Sequence, residues 1–159
     1  MNSQLGRLVC VVTLLMLLMG CGGPEEPLES RIRSLIETGR EAAQDRNMEF
    51  FREVIDPEYS DSRGYGRAEL LRMLTGYFYR NRSIYLVTRT EEIIPVEHNR
   101  ARAVVYVGMA GSPVEGFEQL LTLRADLYRL ELEFRLDEGL HLVHAQWRRA
   151  NPEEVFSGL

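Results

Sequence analysis

The sequence contains no lysine; all 19 of its cations are arginine. That absence excludes Schiff-base chemistry and the phosphate-binding lysine of a nucleotide loop. Cysteine is nearly missing as well, with Cys10 and Cys21 the only two in 159 residues. Beyond residue 21 the chain therefore offers no disulfide, thiol nucleophile or thiolate metal site. No Gly-x-Ser-x-Gly nucleophile turn is present. A basic patch is lacking too, because 24 acids outnumber the cations and the formal net charge is −5. An acidic domain of this kind is a poor nucleic-acid binder and gains no attraction to anionic lipid from its own charge. What remains is 45% hydrophobic and 27% charged, the composition of one folded domain.

The first 21 residues carry the clearest signal. Arg7 precedes an apolar run from Leu8 to Met19, and Gly20 and Cys21 follow. A bilayer-spanning helix needs about 20 apolar residues, so this run reads as a secretory signal. Its ending, Leu18-Met19-Gly20-Cys21, resembles the lipobox of bacterial lipoproteins. The resemblance implies cleavage after residue 20, thioether lipidation of Cys21 and acylation of the new amino terminus. Cys10 leaves with residues 1–20, and the loss of Arg7 makes the mature chain one unit more negative. Gly22 rather than aspartate after the cysteine implies, by the same resemblance, an outer-membrane lipoprotein facing the periplasm. Residues 21–27 then form a Gly- and Pro-rich tether whose extended reach is roughly 20 Å.

Apolar periodicity organises residues 28–150 into one domain. Ile32, Leu35, Ile36, Ala42 and Ala43 recur at helical spacing over 28–44. A short second helix carries Met48, Phe50, Phe51, Val54 and Ile55 until Pro57, and residues 56–64 read as a turn-rich loop. A third helix spans about 66–79. Residues 84–95, 101–109, 127–136 and 140–149 alternate as strands, with turns at His98-Asn99 and Asp137-Glu138-Gly139. The alternation changes phase between Leu121, Leu123, Ala125 and Leu127 and the even positions from Tyr128 onward. Either a bulge in one long strand or a short helix over 114–123 accounts for this. Residues 151–159 read as a flexible tail.

The expected fold class is α+β, with three N-terminal helices packed on one face of a curved, mainly antiparallel sheet of four to six strands. That order, with Phe50-Phe51…Ile55-Asp56-Pro57-Glu58-Tyr59, the Gly64 loop and Ala145-Gln146-Trp147, resembles the nuclear transport factor 2-like superfamily and its cone. The superfamily holds isomerases, dehydratases, small-ligand binders and protein-binding modules, so the resemblance implies a shape rather than a reaction.

Inside such a cone the candidate proton carriers are Asp61 and His144, each with an ordinary alternative. Asp61 reads first as a turn aspartate satisfying backbone amides. His144 shares a face with Gln146, Leu140 and Leu142, opposite His141, Val143, Ala145 and Trp147; a structural role is its ordinary reading. Tyr59, Gln146 and Trp147 are candidate ligand contacts. Tyr77, Tyr79 and Tyr85 serve equally as core. His141 and His144 fall on opposite strand faces, so no metal is expected, nor any cofactor. Glu131 and Glu133, flanked by Arg129 and Arg135, read as a solvated charge ladder. Gly108-Met109-Ala110-Gly111-Ser112 is a strand-end loop, not a phosphate loop. The reading that follows is an envelope lipoprotein that binds a protein partner or a small apolar ligand without catalysis. The alternative is an isomerase or hydro-lyase using a pocket carboxylate or histidine. Expected partners are the membrane, through lipidated Cys21, and an envelope protein or a second copy of the chain. Cys21→Ser should leave an unprocessed or soluble precursor in membrane fractionation; unchanged membrane association would count against the anchor.

Overall fold

The structure, a computed structural model, describes residues 26–96, 99–120 and 125–156. The signal, Cys21, His98 and residues 121–124 and 157–159 lie outside the described residues.

Helix α1 (Leu28–Gln44) enters from Pro27 and places Ile32, Leu35 and Ile36 on one stripe. Ile32 is 0% exposed, and burying a side chain of that size contributes about 1.5–3 kcal/mol. Asn47 caps α2 (Met48–Val54), its side-chain oxygen accepting from the backbone N–H groups of Glu49 and Phe50. Strand β1 (Ile55–Asp61) follows immediately, then α3 (Arg67–Arg80), where the Glu69 carboxylate accepts from the Gly66 N–H at 3.2 Å. The remaining elements are β2 (Tyr85–Val96), β3 (Arg100–Ala110), α4 (Phe117–Leu120), β4 (Asp126–Leu136), β5 (Leu140–Arg149) and α5 (Pro152–Phe156).

The five strands form one sheet in the order β1-β5-β4-β3-β2, antiparallel except for the parallel β1–β5 pair. The fold is thus α+β with a mixed sheet. Its inner face, against α1 to α3, presents Ala101, Ala103 and Val105 from β3, Leu132 and Phe134 from β4, and Leu140 and Leu142 from β5. Phe51, Ile55, Tyr59, Leu70, Leu74, Ala145 and Trp147 continue that interior beyond the middle of the sheet.

The structure corrects or completes four expectations. Residues 55–61 are a strand, although Asp56, Pro57, Ser60 and Asp61 are turn formers. Pro57 is tolerated because the β1–β5 register shifts between Ile55 and Ser60, where no ladder N–H is required of it. The three N-terminal helices share the inner face as expected, but two further short helices, α4 and α5, cover the outer one. There Phe117, Leu120 and Val155 pack around Tyr106, with Ala125 and Leu127 beneath them. Of the two accounts of the phase change before Tyr128, the short helix holds: α4 lies within 114–123, and among the described residues β4 has no bulge, with Leu127 half-buried outward under α4 and α5 and Leu132 and Phe134 facing inward. Finally, residues 152–156 are not a flexible tail. Val155 is 0% exposed, and Glu154 accepts from Arg148 at 3.0 Å and from the Tyr106 hydroxyl at 3.3 Å. The Arg148 hydrogen bond holds the Glu154 carboxyl below the usual carboxylate range.

Gly108 lets α4 dock. A Cβ there would overlap Leu120 Cδ1, which is buried against the strand. Gly108→Ala should lower stability by about 1–2 kcal/mol in a urea melt, and the double variant with Leu120→Ala should lose less than the two separate losses added together.

Candidate functional site

One inserted residue in β5 decides what each sheet face carries. Leu142 pairs with Phe134 but His144 pairs with Glu133, so Val143 is bulged out of the ladder. Leu140 and Leu142 face inward before the bulge, and Ala145 and Trp147 face inward after it. His144 and Gln146 consequently face outward and do not share a face with Leu140 and Leu142, contrary to strict alternation. His141, opposite Arg135, faces outward too, so the two histidines share a face after all. They gather no third ligand: among the described residues no group of three His, Cys, Asp or Glu side chains could hold a metal.

The outer face beyond α4 and α5 is a charge ladder with two open depressions. One, of about 230 Å³, is lined by Arg102, Glu131, Leu132, Glu133, His144 and Gln146. The other, of about 360 Å³, lies beside it over Ser60, Arg100, Arg135 and His144. Arg129 pairs with Glu131 and Arg100 with Glu133. Arg135 reaches across β5 to Asp56 at 2.6 Å and to Glu58 at 3.3 Å, and also pairs with Asp137. The Asp56 side chain is 1% exposed, so this pair is anchored in a desolvated position. Arg102 stands directly opposite Glu133, but Arg100 has taken that carboxylate. Among the described residues Arg102 has no hydrogen-bond or ionic partner.

On the inner face, β1 turns Tyr59 and Asp61 the same way, 3% and 5% exposed respectively. Asp61 Oδ1 accepts from the backbone N–H groups of Arg63 and Tyr65, both at 2.8 Å. The loop it organises passes through Gly64 at φ 85°, a conformation that favours glycine, and ties to β5 through Ser62 N–H donating to the Ala145 carbonyl. Asp61 therefore has the turn role, at the end of a strand rather than in a loop. Its Oδ2 is buried without a partner among the described residues, and so is the Tyr59 hydroxyl. Burial pushes the Tyr59 phenol well above its ordinary range, and the nearby Asp61 charge adds to that rise. Trp147, packed against this cluster, carries the Arg63 guanidinium 5.0 Å over its ring.

The sheet separates the candidates. Tyr59, Asp61 and Trp147 meet inside, while His144 and Gln146 lie outside with Arg102. The two proton carriers of the catalytic alternative thus share no cavity. Tyr77 donates weakly to the Met109 sulfur at 3.8 Å, and Tyr79 is 90% exposed, so the aromatic group around the end of α3 is dispersed. Gly108 to Ala110 belong to β3 itself, and α4 lies over Gly108. Sequence reasoning missed Arg63, Arg102 and the Arg135–Asp56 pair, whose partners are 79 residues apart.

No family model matches the sequence, and no curated protein is similar enough to assign one. Solved structures do match in shape. An uncharacterised protein with a cystatin-like fold from Caulobacter vibrioides superposes with a TM-score of 0.61 at 19% identity, over 81% of this chain and 94% of that one. The fold is the nuclear transport factor 2-like, cystatin-like cone. A nuclear transport factor 2-like protein from Cytophaga hutchinsonii gives 0.57 at 13% identity, covering 79% of this chain and 100% of its own. A hexachlorocyclohexane dehydrochlorinase from Novosphingobium barchaimii gives 0.59 at 9%, covering 77% and 86%. At these identities the likeness is one of cone shape, and the shape is shared by an enzyme and by proteins with no assigned reaction.

Breaking the anchored ion pair tests how much the outer face of the cone depends on it. Asp56→Ala leaves Arg135 short of its buried partner and removes the acceptor for the Glu58 N–H at 2.8 Å. We expect a loss of about 2–3 kcal/mol in chemical unfolding, several times that of Glu58→Ala, whose side chain is exposed.

Proposed function

We propose that the chain is a non-catalytic binding domain of the cell envelope, held at the membrane by lipidated Cys21, that meets a protein partner through the outer face of its sheet. The observation that carries this reading is the contrast between the two faces. Inside, aromatic and aliphatic side chains from three helices and the sheet pack together, which favours a protein partner over a small apolar ligand. Outside, an arginine without a partner among the described residues stands in an open groove.

In a ladder where Arg100, Arg129 and Arg135 each have a carboxylate, Arg102 keeps its full fork of donors for a group from elsewhere. Ile94, its cross-strand neighbour on β2, is 40% exposed, and Gln146 adds an uncharged donor and acceptor nearby. An arginine beside an exposed aliphatic group is the composition that protein interfaces favour. The matching partner surface places a carboxylate opposite Arg102 and apolar side chains against Ile94.

A photo-crosslinking residue in place of Arg102 should give a discrete adduct in the native envelope, and one in place of Met73 on α3 should not. The partner identified by mass should bind the purified chain at least tenfold more weakly after Arg102→Glu. Adducts of equal pattern from both positions, or none from position 102, would argue against the outer face as the contact.

A further inference from the structure

The helical layer carries a surface that a partner on the outer face of the sheet does not use. Residues 62–83 hold five arginines and one glutamate, a local excess of four positive charges in a chain whose formal net charge is −5. The average charge, which argues against attraction to anionic lipid, thus conceals a local reversal. Helix α3 sets that charge on one side. Leu70, Leu71 and Leu74 pack inward, and Phe78 is buried against Phe51. The helical period then leaves Arg72, Met73, Tyr79 and Arg80 exposed, and Arg82 follows, exposed, just beyond the helix. Three of the five large apolar or aromatic side chains exposed among the described residues, Tyr65, Met73 and Tyr79, belong to this same segment.

The arginines are not equally available. Arg63 lies over the Trp147 ring, and Arg67 donates to the carbonyls of Ile55 at 2.9 Å and Arg52 at 2.6 Å. Arg72 shares the Glu69 carboxylate at 3.1 Å. Arg80 and Arg82 have no ionic or hydrogen-bond partner among the described residues. The Arg80 guanidinium folds back over Gly76, within 4.0 Å of where a Cβ would stand, so no side chain screens it there. We propose that the exposed side of α3, with Arg82, rests on an anionic phospholipid headgroup layer. A guanidinium fork matches a phosphate with two hydrogen bonds, and each arginine at an anionic surface strengthens binding about fivefold. An exposed tyrosine suits the same boundary, its ring toward the acyl chains and its hydroxyl among the headgroups. Met73 and Tyr79 stand about 9 Å apart along the helix axis, with Gly76 between them. Separate tips of this kind enter a headgroup layer, whereas a protein interface is built around a continuous apolar centre. The chain enters α1 at Leu28, in the same helical layer, and residues 21–27 reach roughly 20 Å. The layer that holds the arginines is therefore the one the tether leaves from. That proximity rests on the proposed lipidation of Cys21; the affinity for headgroups does not.

The packed clusters all lie within residues 28–156, so the test uses residues 21–159 with Cys21→Ser, free of signal and lipid, and circular dichroism establishes that each variant is folded. The protein is sedimented with vesicles of equal parts phosphatidylglycerol and phosphatidylcholine, and with vesicles of phosphatidylcholine alone. The expected affinity for the mixed vesicles is at least about tenfold the higher, and it falls as salt rises. Arg80→Glu and Arg82→Glu should each weaken binding to the mixed vesicles at least about fivefold, and Tyr79→Ser about threefold. Arg102→Glu changes the net charge equally but lies on the other face of the sheet, and should leave the affinity within about twofold. Arg82 stands outside the helix, so its variant carries the test if Arg80→Glu does not fold. Equal binding to the two kinds of vesicle, binding to neither, or an Arg102→Glu loss as large as that of Arg82→Glu overturns the proposal. So does a discrete protein adduct from a photo-crosslinking residue at position 79 in the native envelope, which would give this face to a protein. None of these outcomes bears on the lipid at Cys21 or on the contact at Arg102.

Discussion

The bulge at Val143 is the constraint on which both faces of the sheet depend. Without it, strict alternation from Leu140 would send His144 and Gln146 into the interior and turn Ala145 and Trp147 to solvent. Burying a histidine and an amide without partners is costly, and exposing Trp147 would forfeit its packing. The inserted residue removes that conflict, since apolar side chains face inward on both sides of it. It also places β1. Ile55 sits opposite Leu142, yet Ser60 and Asp61 sit opposite His144 and Ala145, so the irregular stretch of β1 lies alongside the irregular stretch of β5. At the same level Arg135 crosses β5 to reach Asp56. The inward aim of Tyr59 and Asp61 and the outward aim of His144 thus share one cause.

Local pattern recovered the parts of the fold whose neighbours are local. The stripe of α1 and the strict alternation of β3 and β4 report which side faces the core, because each keeps one face buried along most of its length. Strand β1 was illegible for the opposite reason. Asp56, Pro57, Ser60 and Asp61 each favour turns, and pairing with a strand more than eighty residues later overrides them. The bulge was illegible because both alternations in residues 140–149 are present in the letters, and the break between them follows from the pairing with β4. Helix α4 showed only as one of two alternatives over 114–123, and α5, with few apolar residues, did not show at all. They are buried because Tyr106, Gly108 and Leu127 prepare a surface for them.

The candidate site follows the same division. Asp61 was legible as a turn aspartate, since its hydrogen bonds run to amides two and four residues away. Its unsatisfied second oxygen was not, because burial there depends on β1 being a strand. Arg102 carries no distinguishing mark in the sequence. It stands apart only because Arg100, two residues earlier on the same face, takes the Glu133 carboxylate that lies opposite Arg102. Which of two equivalent arginines is left over is settled by side-chain reach across the sheet, which a linear pattern does not encode.

The C-terminal segment sets how much of the outer face a partner can use. Val155 and Phe156 lie over the Tyr106 end, held by Glu154 against Arg148 and the Tyr106 hydroxyl. The Glu154 carboxyl is depressed by its arginine. Its stabilising contribution is therefore complete above the unfolded carboxylate value and fades only as the pH falls through the lower folded one. At neutral pH that half of the face is closed, and the apolar surface around Tyr106 is spent inside the chain. What stays open is the charged half around Arg102, His144 and Gln146. A contact there is small and polar, so it draws on charge complementarity more than on buried apolar area, and salt weakens it. The proposed lipid anchor would compensate for modest affinity by confining the domain to the layer where the proposed partner is met. In the proposed reading a weak, salt-sensitive face and a lipid anchor are consistent with each other, the anchor providing proximity and the face selection.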